Sequence, residues 1–148
     1  LGVSCPVVCE DPPHSGPVAG VATGVAWIAH THPTVSLVAV LAVDAPDSPL
    51  LIPQLVDALR QAGPQADAVT VLADGYVQPL GVLWRFAALQ AALERVGDFT
   101  QAPLKRLLRG ANIVTITPTG GVERDYDTPE ELQNLPPAVP IVPAGETQ

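Results

Sequence analysis

The chain has 148 residues with 47% hydrophobic and 15% charged side chains, which predicts one folded domain and excludes an intrinsically disordered chain. Its net charge of −8 argues against a nucleic-acid groove, but a nucleotide substrate stays open because a metal ion can supply positive charge. No apolar run is long enough to cross a bilayer and no signal-peptide pattern opens the chain, so we expect a cytoplasmic protein that does not bind membranes.

The first predicted element is a short strand over 6–10. Cys5 and Cys9 lie four residues apart around it, a spacing that fits neither a disulfide framework nor a metal-binding knuckle. We therefore expect two buried or half-buried thiols in a reducing compartment.

A turn of small residues, Ser15 to Gly20, leads into a helix over 17–30 that is apolar nearly all round and is expected to be buried. Gly20 and Gly24 lower its helix propensity and allow another backbone, or the sheet itself, to come close. Backbone N–H groups at this turn can meet an anion or the edge of a base. The same pattern also fits a tight strand-to-helix connection, which is the commoner outcome for this motif taken alone.

The run Leu37 to Val43 predicts a buried strand that ends in Asp44 and then turns at Pro46. In open α/β sheets the carboxyl edge of the strands is where ligands bind. Asp44 is therefore a candidate Mg²⁺ ligand through its hard carboxylate oxygens. The alternative is a turn or N-cap carboxylate with no metal.

The remaining chain alternates strands with helices, which predicts an α/β fold: a Rossmann-like three-layer sandwich with a mostly parallel sheet. A single domain is expected over 1–135, followed by a Pro-rich tail over 136–148. Asp74 and Gly75 predict a turn, and Pro79 predicts a break in the strand that follows it. Helices are predicted over 49–62, 85–96 and 103–109, and strands over 68–72, 77–84, 112–117 and 122–125.

Two further motifs contain polar side chains that are candidates for a binding site. Gln78 precedes Pro79 in the interrupted strand and can line a pocket, although a bulge with a solvated amide is the simpler interpretation. Asp127 lies next to a capping box at 128–131, so its carboxylate can face Asp44 as a second metal ligand or serve only to compensate the helix dipole.

Four motifs occur together in order: 16–20, 44–46, 78–80 and 127–132. In this combination the chain resembles the molybdenum cofactor guanylyltransferases, a family of nucleotidyltransferases with a Rossmann-like fold. The resemblance spans most of the chain, from Val7 to Leu132.

The resemblance implies transfer of GMP from GTP to molybdopterin, release of pyrophosphate, and assistance by Mg²⁺. It implies that Asp44 is the catalytic metal ligand and that Asp127 lies near the metal and the pterin. Molybdoenzymes or cofactor carriers are the expected partners. The residues implied to contact the nucleotide are Gly16, Pro17, Ala19 and Gly20, and those implied to contact the acceptor are Gln78, Pro79 and Asp125.

The family's opening Gly-rich loop, which cradles the triphosphate, has no counterpart in this sequence, and Lys105 is the only lysine. We therefore expect the chain to correspond to the carboxyl-terminal two thirds of the family's domain, with the first βα part missing. Two other functions stay open: a cytidylyl or sugar-phosphate nucleotidyltransferase, and a catalytically inactive nucleotide-binding or scaffold domain of the same fold.

Overall fold

The computed structural model describes residues 5–45 and 47–119, which form a five-stranded sheet with helices on both faces. A 3-10 helix at Ser48–Leu51 runs directly into the second α-helix. The helices are α1 (Pro17–Thr31), α2 (Ile52–Ala62), α3 (Phe86–Val96) and α4 (Lys105–Leu108), and the strands are β1 (Leu37–Val40), β2 (Ala68–Ala73), β3 (Tyr76–Val77), β4 (Val82–Arg85) and β5 (Ile113–Ile116).

The sheet has three strands that run in one direction. β4 pairs antiparallel with both β1 and β2, and β5 pairs parallel with β2. Consequently β1, β2 and β5 share a direction and their carboxyl ends meet at one edge of the sheet, which we call the carboxyl edge. This arrangement confirms the predicted α/β class. The prediction of a mostly parallel sheet is wrong, because among the described strands only β2 and β5 pair in parallel and the returning hairpin makes the other pairings antiparallel.

β3 and β4 are two parts of one returning strand. The turn at Asp74 and Gly75 has positive φ at both residues, 49° and 80°, as a tight hairpin turn of this type requires. β3 pairs with the end of β2, and β4 pairs with its beginning. Between these two paired segments, the returning strand has three more residues than β2. The predicted hairpin and its break at Pro79 are therefore confirmed, with a bulge over 78–81.

Alternate side chains of each strand point to opposite faces of the sheet and build two apolar clusters. On one face, Trp84, Val82 and Ala68 pack with α1, α3 and α4. On the other face, Val69, Val71 and Leu83 pack with α2 through its Leu55 and Leu59. The fold is thus a three-layer sandwich, and burial of Trp84 and Leu55 on opposite faces stabilises the two outer layers.

A glycine with positive φ follows three of the helices. Gly63, Gly97 and Gly110 follow α2, α3 and α4 with φ of 77°, 69° and 74°. Positive φ is open to glycine without a Cβ penalty, which suits the residue that follows a helix. No helix in the described ranges is long and apolar enough to span a membrane.

The predicted strand over 6–10 is wrong. Residues 5–10 have no regular secondary structure, and both cysteines are exposed and free. Val7 is 83% exposed, so the apolar residues that indicated a buried strand lack a partner strand among the described residues.

The first helix and first strand are also less buried than predicted. Of α1, only Val18, Ala19 and Val25 are buried. A Cβ at Gly24 would meet no atom within 4 Å and one at Gly20 only the Glu10 carboxylate at 4.0 Å, so neither glycine is needed for a close approach. β1 ends at Val40, and Val43 is fully exposed, so the apolar run extends past the strand into a loop.

The predicted strand over 122–125, the capping box at 128–131 and the Pro-rich tail lie outside the described residues.

Candidate functional site

The carboxyl edge collects most of the predicted site residues that the structure describes. α1 ends shortly before β1 begins, so its first turn lies toward the carboxyl end of β1. The loop that contains Asp44 follows β1, and the bulge over 78–81 lies beside it because the Gly81 N–H donates to the carbonyl of Val40 at 2.9 Å. Gly16 to Gly20, Asp44 and Gln78 with Pro79 therefore lie at one edge, while Asp125 and Asp127 lie outside the described residues.

The turn before α1 leaves the helix without a side-chain cap. Gly16 is the N-cap residue, no side chain hydrogen bonds to the first turn, and that turn contains no acidic residue. Pro17 has no N–H, and the N–H of Gly20 donates to the carbonyl of Gly16 at 3.1 Å. The first-turn N–H groups of α1 are therefore not capped by a side chain and can meet an anion or a base edge, with the Glu10 carboxylate beside the turn at 4.0 Å from the position of a Cβ on Gly20.

Gly16 has a packing role that is independent of any ligand. Its φ of 105° and ψ of 173° belong to a region that is essentially restricted to glycine. A Cβ on Gly16 would lie 3.0 Å from Cα of Gln101, in the loop between α3 and α4. The alternative to ligand binding, a tight connection into the helix, is therefore present at Gly16. At Gly20 there is room for a Cβ.

Asp44 is exposed and lies in a turn after β1, four residues beyond the end of the strand. The helix that follows begins at Ser48, with Asp47 and not Asp44 as the N-cap residue. Asp44 is therefore not the N-cap, and its oxygens are accessible to a hydrated cation, although it does not stand directly at the end of the strand as predicted.

Gln78 is held by its backbone. Its N–H donates to the carbonyl of Val71 at 3.0 Å, and its carbonyl accepts the hydroxyl of Thr70 at 2.6 Å. Thr70 is fully buried, so its hydroxyl needs this acceptor. The side-chain amide of Gln78 donates only at 3.5 Å, to the carbonyl of Tyr76, and is half-buried. The bulge, which was the simpler of the two interpretations, is therefore present. Gln78 lies in this bulge at the carboxyl edge.

The segment after α3 carries further charged side chains, Asp98, Lys105 and Arg106. Asp98 accepts the N–H of Thr100 at 2.9 Å, and this bond, together with the nearby charge of Arg106, holds the pKa of Asp98 below its ordinary value. Lys105 and Arg106 begin α4 and are exposed. Among residues 5–45 and 47–119, His, Cys, Asp and Glu side chains form no group of three that could hold a metal ion.

Sequence reasoning missed two residues that shape this edge. Gln101 contacts the turn before α1 from a position 87 residues away from His14, and a lone glutamine in a loop carries no sequence signal. Thr70 offered one signal, a single hydroxyl within the otherwise apolar run of β2. A buried hydroxyl of that kind must find an acceptor, which is the bulge carbonyl.

Comparison with curated proteins finds no significant match. Among solved structures the chain is similar to molybdopterin-guanine dinucleotide biosynthesis protein A from Archaeoglobus fulgidus, with 24% identity and a TM-score of 0.47. That likeness covers 69% of this chain and 47% of that one, so the chain spans about half the length of that protein.

The family match is more extensive. The family model described as the MobA-like NTP transferase domain matches residues 1–115, which is well over half of the 148 residues. The matched range includes α1, the Asp44 loop, the interrupted hairpin and most of β5. The chain therefore belongs to the family of MobA-like NTP transferase domains.

Proposed function

We propose that this chain is a nucleotidyltransferase domain that transfers GMP from GTP to molybdopterin and releases pyrophosphate. The observation that carries the proposal is the uncapped amino end of α1 at the same sheet edge as Asp44 and the Gln78 bulge, in a chain of a nucleotidyltransferase family. The choice of GTP and molybdopterin as the two substrates rests on the resemblance of the four sequence motifs.

The nucleotide is proposed to lie against the first turn of α1. The N–H groups there supply hydrogen-bond donors, and Gly20 is proposed to let a ring come close because it has no side chain. A Cβ there would meet a carboxylate oxygen of Glu10 at 4.0 Å and nothing nearer. Gly16, Pro17 and Ala19 complete this surface. Gln78 and Pro79 are proposed on the acceptor side, with Asp125 from outside the described residues.

Asp44 is proposed to hold Mg²⁺. Mg²⁺ commonly keeps several waters and binds one or two carboxylates together with substrate phosphates, so one exposed carboxylate at the nucleotide edge fits it. Asp127 is the proposed second carboxylate. The ion, when bound, supplies positive charge that neutralises the phosphates. The chain itself has few cationic side chains for this purpose, with 7 Lys and Arg against 15 Asp and Glu.

The proposed reaction is a displacement at phosphorus. A phosphate oxygen of the acceptor forms a bond to the α-phosphorus of GTP, and the bond from that phosphorus to the bridging oxygen of the β-phosphate breaks. Pyrophosphate leaves with the bond's electron pair. The chain's contribution is to hold the two substrates in line and to exclude competing orientations. Cytoplasmic molybdoenzymes or cofactor carriers are the proposed recipients of the product.

Two glycines separate nucleotide binding from helix stability. Gly20→Ala and Gly24→Ala both replace a helical glycine that has room for a Cβ, so each is expected to stabilise the fold by about 0.5–1 kcal/mol. Only Gly20→Ala is expected to weaken binding of GTP, measured by isothermal titration calorimetry with Mg²⁺ on the full chain. Equal GTP affinity in both variants would contradict a nucleotide at this turn.

Nucleotide choice and turnover test the remaining alternatives. Tighter binding of CTP than of GTP would favour a cytidylyltransferase. Failure of every nucleotide to raise the melting temperature would favour an inactive scaffold domain. Turnover is measured as pyrophosphate release with molybdopterin as acceptor.

Asp44→Asn is expected to abolish turnover without unfolding the chain, because Asp44 is exposed. Asp74→Asn is the matched control. Asp74 is also exposed and follows β2 at the same edge, and its positive φ of 49° suits asparagine equally well. Full activity in Asp44→Asn would overturn the metal assignment.

A further inference from the structure

The loop between α3 and α4 contacts the turn that precedes α1 through one residue, Gln101. The main-chain N–H of Gln101 donates to the carbonyl of Ser15 at 2.7 Å, and its side-chain Nε2 donates to the carbonyl of His14, also at 2.7 Å. Its Cα lies 3.0 Å from the position of a Cβ on Gly16. Gln101 therefore contacts three consecutive residues of the turn.

Both sides of this contact are held in uncommon conformations. Gln101 and His14 have φ of 51° and 64°, in the left-handed region that residues with a Cβ normally avoid. Each side has local bonds that maintain it: the carboxylate of Asp98 accepts the N–H of Thr100, and the carboxylate of Glu10 accepts the N–H of His14 at 3.1 Å. A conformation of this kind persists only where the surrounding contacts enforce it.

We propose that Gln101 is a positioning residue for nucleotide binding, acting through the turn that carries Gly16. The inference rests on the proposed function of that turn. Because Gln101 occupies the carbonyls of His14 and Ser15, the two peptide groups that precede Gly16 are fixed, and the chain enters α1 in one orientation. A turn that is ordered before the nucleotide arrives avoids the entropic cost of ordering it on binding.

Gln101→Glu tests the side-chain bond. The change is isosteric, keeps the main-chain N–H and replaces the amide donor with an oxygen facing the carbonyl of His14. The dissociation constant for GTP with Mg²⁺ is expected to rise roughly tenfold, as for loss of one hydrogen bond, and KM for GTP is expected to rise with it. kcat is expected to stay within about twofold, because Gln101 does not touch the reacting atoms.

Gln61→Glu is the matched control. Gln61 is exposed in the last turn of α2, at the opposite end of the sandwich from the turn before α1, and the chemical change is the same. Its GTP affinity is expected to equal that of the unaltered chain.

Gln101→Gly separates positioning from a purely structural role. Glycine relieves the positive φ and keeps the main-chain N–H but removes the amide. The melting temperature is expected to stay the same or rise while GTP affinity still falls roughly tenfold. A parallel fall of affinity and melting temperature in both Gln101 variants would overturn the positioning role in favour of a structural one.

The binding measurements distinguish failure of this inference from failure of the proposed function. If the unaltered chain binds GTP and Gln101→Glu binds it equally well, the inference is wrong and the proposed function stands. If the unaltered chain binds no nucleoside triphosphate, the proposed function is wrong and the positioning role falls with it.

Discussion

Gly16→Ala is expected to destabilise the fold by about 3 kcal/mol, which is the sum of two separable effects. The backbone at φ 105° and ψ 173° costs a residue with a Cβ roughly 1–3 kcal/mol. The added Cβ would also lie 3.0 Å from Cα and 3.3 Å from N of Gln101, and forcing a methyl group against backbone costs a further ~1–3 kcal/mol.

Gly63→Ala isolates the backbone effect. Gly63 has φ 77° and ψ −174°, in the same glycine-restricted region, but a Cβ there would meet no atom within 4 Å. We expect a loss of about 1–2 kcal/mol from strain alone. The difference between the two variants then measures the contact with Gln101.

The assay is equilibrium unfolding in urea, followed by circular dichroism, with Gly24→Ala as the unstrained reference that is expected to gain about 0.5–1 kcal/mol. An unchanged slope of free energy against urea is required for the comparison. If Gly16→Ala loses no more stability than Gly63→Ala, the close packing of the α3–α4 loop on this turn is refuted.

The remaining predictions concern three polar side chains. Thr70→Val is expected to cost about 1 kcal/mol in urea unfolding, because the carbonyl of Gln78 loses a donor at a fully buried position. Arg85→Met is expected to cost about 2 kcal/mol, since the guanidinium donates to two carbonyls of the turn between α2 and β2 at 2.8 and 3.0 Å. Asp98 has a lowered pKa, so its bond with Thr100 stabilises the native state above the ordinary carboxyl pKa, and that contribution is lost as the pH falls. Asp98→Asn is therefore expected to flatten the acid side of the stability profile.

Each of these has an outcome that contradicts it. Equal stability of Thr70→Val and the exposed-site control Thr115→Val would remove the hydroxyl's role in the bulge. Arg85→Lys retaining full stability would show that the paired geometry of the guanidinium is unimportant. A pH profile that Asp98→Asn leaves unchanged would show that the Asp98 carboxylate does not contribute.

Elements whose signals are local could be predicted from the sequence. α2 and α3 follow from apolar spacing and terminal glycines, and the hairpin follows from Asp74 and Gly75. These features depend on residues within a few positions of one another, so the chain carries the information without its tertiary contacts. Membership of the transferase family was predictable for a similar reason, because four short motifs occur in a set order.

Burial and the end of the first strand were not predictable, because they depend on what packs against each segment. The runs at 6–10 and 37–43 both predict strands, yet residues 6–10 form no strand and the strand in the second run ends at Val40. A run becomes a strand only where a partner supplies its backbone hydrogen bonds. Within the run 37–43, β4 pairs only with residues 37–40.

By itself the sequence determined the α/β class, most helix and strand positions, and the residue types that suit a nucleotide site: small residues at 16–20 and a lone carboxylate at Asp44. Only the tertiary structure decided that these segments share one sheet edge, that Gly16 is required by Gln101 and that Gly20 is not required by any packing contact. The reason is that the close approach at Gly16 joins residues more than 80 positions apart, and a contact at that separation leaves no periodicity or spacing for sequence reasoning to detect.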